Sequence, residues 1–191
     1  TYNGDRYVER TLKTVLAQTF RDFELIVTDD CSTDGTCRIV KHYAELDDRI
    51  QLRTNERRMG LAANWNQTLA LASGEYVKIL CQDDLLEPAC IERQVAVLDA
   101  EEQVSLVTCT TRIIDCDDKL LMTRRYWRGS RRINGRKAAR ISLLGMNLFG
   151  EPSELMFRKR DSVKVGPIDE RYGYVPDWDY SIRLLRMGDL Y

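Results

Sequence analysis

The chain has 191 residues, with 29 Lys and Arg against 30 Asp and Glu, and a formal net charge of -1. That balance argues against nucleic acid as the main partner, and no apolar run approaches the roughly 20 residues that cross a bilayer. The length suits one domain with a sizeable core, and six cysteines without CxxC pairing or Cys/His metal spacing point to a reducing compartment.

Thr1 to Gly4 reads as a loop, and Tyr191 follows a helix and a turn, so the chain reads as cut from something longer. Asp5 is expected to cap a helix whose apolar stripe is Val8, Leu12, Val15 and Leu16. Phe23 to Thr28 is expected to be a strand buried on both faces. It ends in Asp29, Asp30 and a loop dense in turn formers. A helix follows with Ile39, Val40, Tyr43 and Leu46 inward; His42 within it reads as a packing or surface residue. Ile50 to Arg53 is a short strand. The next helix carries Leu61, Trp65, Leu69 and Ala72, and Gly74 stops it. Tyr76 to Leu80 is an apolar strand leading into Cys81-Gln82-Asp83-Asp84, and Pro88 is placed to open the following helix.

The order helix, strand, helix, strand, helix, strand predicts an α/β domain with a mostly parallel mixed sheet and helices on both faces. Right-handed crossovers then bring the carboxylates near Asp30 and Asp84 to one sheet edge, where open α/β sheets bind ligands. Adjacent carboxylates repel, so Asp83 and Asp84 call for a cation or donors nearby. Oxygen ligands of this type suit Mg²⁺ or Mn²⁺ bridging to substrate phosphates. The alternative is a solvated acidic turn.

The rear of the chain is less regular. After a helix with Ile91, Val95 and Leu98 come a strand over Val104 to Cys109 and a hairpin over Arg112 to Thr123, with Asp117 and Asp118 as turn residues. Residues 124–140 hold eight Lys or Arg and no acid. Such a run reads as a solvated face or mobile loop; the sharper alternative is a strip facing phosphate groups or an anionic membrane surface. Tyr126 and Trp127 within it are placed to stack on a ligand. Glu154 to Phe157 reads as a strand and residues 165–169 as a turn. A last helix follows, for which Asp177 or Asp179 would serve as a cap.

Three ordered segments carry a resemblance: TYNGDRYVERTLKTVLAQTFRDFELIVTDDCSTDGT, MGLAANWNQTLALASGEYVKILCQDD and EPSELMFRKRDSVKVGPIDERYGYVPDWDYSIRLLRMG. Together they resemble the family 2 glycosyltransferases, nucleotide-sugar-dependent enzymes of the GT-A fold. The resemblance implies a single domain over residues 1–191, with a nucleotide-sugar-binding part over 1–109 and an acceptor-side part over 110–191. It implies that Tyr2 packs against the base, Asp30 hydrogen-bonds it, and Asp83 reaches the ribose or sugar. Asp84 would hold a divalent cation, Mn²⁺ or Mg²⁺, on the diphosphate, and Asp177 would be the general base toward the acceptor hydroxyl. Pro176 stands where the family has Glu before that Asp, so Asp179 competes for the role. The metal motif reads Gln-Asp-Asp rather than Asp-x-Asp.

The implied activity is an inverting transfer from a nucleotide sugar, UDP-linked first, to a saccharide, lipid-linked or other hydroxyl acceptor, in cell-surface polysaccharide or glycolipid synthesis. The implied setting is the cytoplasm, with peripheral association at the inner membrane face. The rivals are a nucleotidyltransferase and a non-catalytic nucleotide-sugar-binding module. A nucleotidyltransferase would show a glycine-rich, basic phosphate loop near the first strand, which Tyr2-Asn3-Gly4 is not.

Overall fold

The computed structural model describes residues 1–145 and 147–191. Helix α1 (Val8–Leu16) leads to strand β1 (Leu25–Asp29), helix α2 (Thr36–Leu46) and strand β2 (Ile50–Thr54), with β1 and β2 paired in parallel. Helix α3 (Leu61–Leu71) then leads to the short strand β3 (Tyr76–Val77), and helix α4 (Cys90–Ala100) to β4 (Val104–Val107). A hairpin of β5 (Thr111–Ile114) and β6 (Leu120–Arg124) precedes α5 (Gly135–Leu143). A 3-10 turn (Pro152–Glu154), β7 (Met156–Arg158), α6 (Lys159–Val165), α7 (Pro176–Leu184) and β8 (Asp189–Leu190) complete the order.

The larger sheet runs β3-β7-β4-β8. Strand β7, from the rear of the chain, lies antiparallel between β3 and β4, while β4 and β8 are parallel. That sheet is therefore mixed, parallel only at β4-β8, while β1 and β2 form a separate two-stranded parallel sheet. Both faces of the larger sheet are buried, and an irregularity in the β4 ladder between Val104 and Leu106 puts those two residues in different clusters. Leu106 and Phe157 face one core cluster, with Ala138, Tyr180 and Leu184 of α5 and α7. Val104, Val107 and Met156 face another, with Val95 and Leu98 of α4. A third cluster joins Val8 and Leu12 of α1 to Val27, Val40 and Ile50. Ala62 and Val77 share the first cluster with residues 138–190, so front and rear are built on common packing.

Several local expectations need correction. Asp5 does not cap α1, whose N-cap Tyr7 makes no side-chain cap bond; its carboxylate instead accepts from the Gly35 N–H at the start of α2. Strand β1 begins two residues later than the apolar run suggests. Leu46 and Leu61 are exposed at the helix ends, and Ala62, Ala63 and Asn64 form the buried face of α3. The ladder of β3 stops at Val77, three residues before the apolar run does. Helix α4 begins at Cys90, two residues beyond Pro88, which lies in the preceding turn. Helix α6 was not foreseen. Asp118 does sit in the hairpin turn, at φ 63°, where Asp115 accepts from the Asp117 and Lys119 N–H groups.

Arg158 knits the junction of β7, α4 and β4. It is 3% exposed, and its guanidinium donates to the carbonyls of Val104, Leu98 and Glu101. Arg158→Met would leave those buried acceptors without their charged donor. Because hydrogen bonds to charged groups contribute about 1.5–3 kcal/mol, urea denaturation should show a loss of at least about 2 kcal/mol.

Candidate functional site

The site is assembled by hydrogen bonds between three loops that are far apart in sequence. The Tyr2 N–H donates to Gln82 Oε1 at 2.8 Å, and Gln82 Nε2 donates to the Tyr2 carbonyl at 3.0 Å. Thr11 Oγ1 donates to the Gln82 carbonyl at 2.7 Å, which anchors the same loop to α1. The Cys81 N–H donates to Ser153 Oγ at 2.9 Å, which brings the 3-10 turn of the rear segment against the acidic motif. Lys78 Nζ donates to the Ser153 carbonyl and to Gln94 Oε1. A Cβ at Gly4 would run into the end of the Gln82 side chain and displace its amide.

The predicted site residues fall around these loops. Asp83 is exposed and Asp84 half-buried. Burial pushes the Asp84 carboxyl above its ordinary value; a bond from Ser153 and the Lys78 charge hold it back, while Asp83 and Glu151 add to the rise. Asp177, in the first turn of α7, is also half-buried, and burial with a contribution from Glu151 raises its carboxyl too. Glu151 is thus within electrostatic reach of both Asp84 and Asp177, and the Cys81 thiol feels Asp84, Asp83 and Asp177 together. The structure therefore gathers these three carboxylates into one neighbourhood.

Neither Asp177 nor Asp179 caps α7 in the expected way, because the N-cap is Val175, without a side-chain bond. Asp179 Oδ2 accepts from Arg183 Nε at 2.8 Å, one turn along the same helix. Among the described residues Asp177 makes no ion pair, and backbone N–H groups of the helix start lie against it. Below it the protein is solid: a void of about 10 Å³ lies among Trp65, Phe157, Tyr180 and Leu184.

Asp30 belongs to a different kind of environment. It is 4% exposed, and its carboxylate accepts from Met59 N–H at 2.7 Å, Gly60 N–H at 2.8 Å and Asn55 Nδ2 at 2.9 Å. Burial alone would raise its carboxyl, but these donors outweigh it and the net shift is downward. Three of its about four lone-pair directions are thereby used, leaving one on Oδ2. The bonds fix the 57–60 loop so that the Arg58 guanidinium lies over the Tyr2 ring, 4.1 Å from its centroid. Asn64 and Asn66, considered as supports for a nucleotide or sugar, bond the protein itself: Asn64 to Asn55 and Thr28, Asn66 to both backbone groups of Ile168. Trp65 packs on the core as expected.

No group of three or more His, Cys, Asp or Glu able to hold a metal occurs among the described residues. That does not exclude a substrate-bridging ion, since Mg²⁺-type cations are usually held by one or two carboxylates plus substrate phosphates. Asp84, pressed by Asp83 and Glu151, is a donor set of that kind, and the residues fit.

Sequence reasoning missed Gln82 and Ser153, the two side chains that join the loops. The replacement of the family's first motif Asp by Gln was the available signal for Gln82.

A model of the family described as "Glycosyl transferase family 2" matches residues 1–166. The "Putative glycosyltransferase EpsE" of Bacillus subtilis (strain 168) is 40% identical over 107 residues, 56% of this chain and 38% of that protein. The crystal structure of S. aureus TarS 1-349 in complex with UDP-GlcNAc matches with a TM-score of 0.77 at 19% identity, covering 100% of this chain and 54% of that one. The mannosyltransferase PcManGT from Pyrobaculum calidifontis, in complex with GDP-Man and Mn²⁺, matches with a TM-score of 0.72 at 21% identity, covering 100% and 51%. These solved structures share the GT-A fold with the chain, which spans less than two thirds of the length of each of these relatives.

The raised carboxyls give a testable sign. A carboxyl raised by folding contributes stability that is complete below its unfolded value and is lost as pH rises through its folded value. At neutral pH ionised Asp177 therefore costs stability. Asp177→Asn should leave the melting temperature at pH 7 unchanged or higher, measured by calorimetry, whereas Asp30→Asn should lower it.

Proposed function

The chain belongs to glycosyl transferase family 2, and from that premise we propose that it moves one sugar from a nucleotide-sugar donor to an acceptor hydroxyl, with inversion at the anomeric carbon. The observation that carries this reading is the shared neighbourhood of Asp83, Asp84 and Asp177, with Tyr2 tied to it by Gln82. A sugar hydroxyl is a weak nucleophile, and a positioned carboxylate that takes its proton during attack contributes about 10²–10⁴ in rate. Asp177 is our candidate because its carboxyl is free of ion pairs among the described residues and is raised by burial above its ordinary value. Asp179 is tied to Arg183, which occupies its carboxylate and aims it along the helix.

At the donor end, Asp84 is the proposed ligand of a divalent cation, Mn²⁺ or Mg²⁺, which when bound would neutralise charge on the departing nucleoside diphosphate. Tyr2, with Arg58 over one face of its ring, offers its remaining surface to the base. Asp30 keeps one acceptor position for a base N–H, and exposed Asp83 reaches toward ribose or sugar. TarS captured with UDP-GlcNAc supports a UDP-sugar as the first donor to test. All six cysteines are free, which supports a reducing, cytoplasmic setting. Among the described residues no helix is long and apolar enough to cross a membrane; the proposed work is on cell-surface polysaccharide or glycolipid at the membrane's inner face.

With UDP-sugars and Mn²⁺, Asp84→Ala should abolish cation-dependent nucleotide binding. Asp177→Asn should retain binding within about threefold and lose about 10²–10⁴ in turnover, and Asp179→Asn should lose far less. Turnover should fall on acidification with an apparent pKa above that of an ordinary Asp, because protonation removes the base. Undiminished binding and transfer in Asp84→Ala would refute the cation assignment; collapse in Asp179→Asn alone would move the base.

A further inference from the structure

The basic strip is not absorbed by this mechanism. Of the eight cations in residues 124–140, two are matched by acids from elsewhere in the chain. Arg124 pairs with Glu151 and with buried Glu154, and Arg132 with Glu101 and Asp189. Arg125, Arg128 and Arg131 are exposed and make no ion pair among the described residues. Charges that were merely a solvated face would not need a cavity beside them. Here a cavity of about 340 Å³ is lined by Arg125, Arg131, Tyr126, Trp127 and Ser130, by Thr108–Thr110 just beyond β4 and by Tyr191, with no Asp or Glu side chain among its lining residues. Its size lies within the roughly 300–1,000 Å³ range of small-ligand sites.

The aromatic walls are held in place. Trp127 Nε1 donates to the Leu148 carbonyl at 3.2 Å, and Arg131 lies over the Trp127 ring at 5.5 Å. Tyr126 is half-buried and its hydroxyl is pushed up to about 12 by burial, so it stays a neutral donor. The cavity adjoins the surroundings of the candidate base: Glu151 is within electrostatic reach of both Tyr126 and Asp177, and Thr108 Oγ1 donates to the Phe149 carbonyl, one residue before Gly150.

We propose that this cavity binds a phosphate group carried by the acceptor, with Arg125 and Arg131 on the phosphate oxygens and Tyr126 and Trp127 against the attached body. Planar guanidinium groups suit the oxygens of a phosphate, which they bind in a forked geometry, and among the described residues no Asp or Glu forms an ion pair with Arg125 or Arg131. The acceptor role rests on the transferase reading; the phosphate site does not.

The test is calorimetric titration at about 0.15 M salt, where exposed charges are screened beyond about 8 Å. Lactose 1-phosphate is compared with lactose, using the wild type, the Arg125→Gln/Arg131→Gln double variant and the Arg136→Gln/Arg140→Gln double variant, whose arginines lie outside the cavity lining. The expected result is at least tenfold tighter binding of lactose 1-phosphate, lost in the first variant and kept in the second, with Mn²⁺-dependent UDP binding unchanged throughout. Equal binding of the two sugars, or equal loss in both variants, would overturn the proposal. Binding to phosphatidylglycerol vesicles without a preference for lactose 1-phosphate would also overturn it, assigning the strip to a membrane surface. A retained phosphate preference in a protein that transfers no sugar would sink the transferase reading and leave the phosphate site standing.

Discussion

The paired hydrogen bonds between the Gln82 amide and the Tyr2 backbone hold the site together. They act like one rung of a sheet supplied by a side chain, joining the first loop to the acidic motif 80 residues later. A second rung, Cys81 N–H to Ser153 Oγ, adds the rear segment, and with it Glu151 and the approach to Asp177. Each such bond is worth about 1 kcal/mol net, little against the entropy of ordering three loops. What makes them effective is the rigid packing behind: α1 holds the Gln82 carbonyl through Thr11, and β7 is clamped between β3 and β4.

Two populations of carboxylate follow from this construction. Asp29 and Asp30 are buried but surrounded by donors, so their carboxyls are held low and they stabilise the loops they anchor. Asp84 and Asp177 are raised by burial, with Glu151 adding to both. A fold gains nothing from the second arrangement by itself. Perturbed carboxyls of this kind cluster at functional sites, and the proposed roles of Asp84 and Asp177 rest on that contrast.

Much of this was legible in the amino-acid sequence. Alternating helical and strand patterns announced the α/β frame, and turn residues announced the hairpin at Asp117 and Asp118. The carboxylates near Asp30 and Asp84 were expected at one sheet edge; β1 and β3 lie in separate sheets, and their loops meet instead through the Tyr2–Gln82 hydrogen bonds. The rest depended on tertiary partners that local pattern does not carry. Nothing near Met156 to Arg158 says that this strand enters antiparallel between two front strands. Asp5 resembles a cap for α1, yet a nearby turn brought Gly35 within its reach. Leu61 fits a helical stripe, yet the buried face of α3 is made by small residues and by Asn64, whose amide the Thr28 carbonyl and Asn55 require. Gln82 stands at the first place of the expected metal motif, and its side chain is also the tie between loops.

The central claim is that Asp84 and Asp177 stand on the two sides of one donor site. Anomalous diffraction at the manganese edge, from crystals grown with UDP and Mn²⁺, tests it most directly. The account predicts a single strong peak against Asp84, with diphosphate density beside it on the side that faces Ser153 and Asp177. A peak confined to the Asp115–Asp118 turn, or nucleotide density on a surface remote from Asp177, would contradict it.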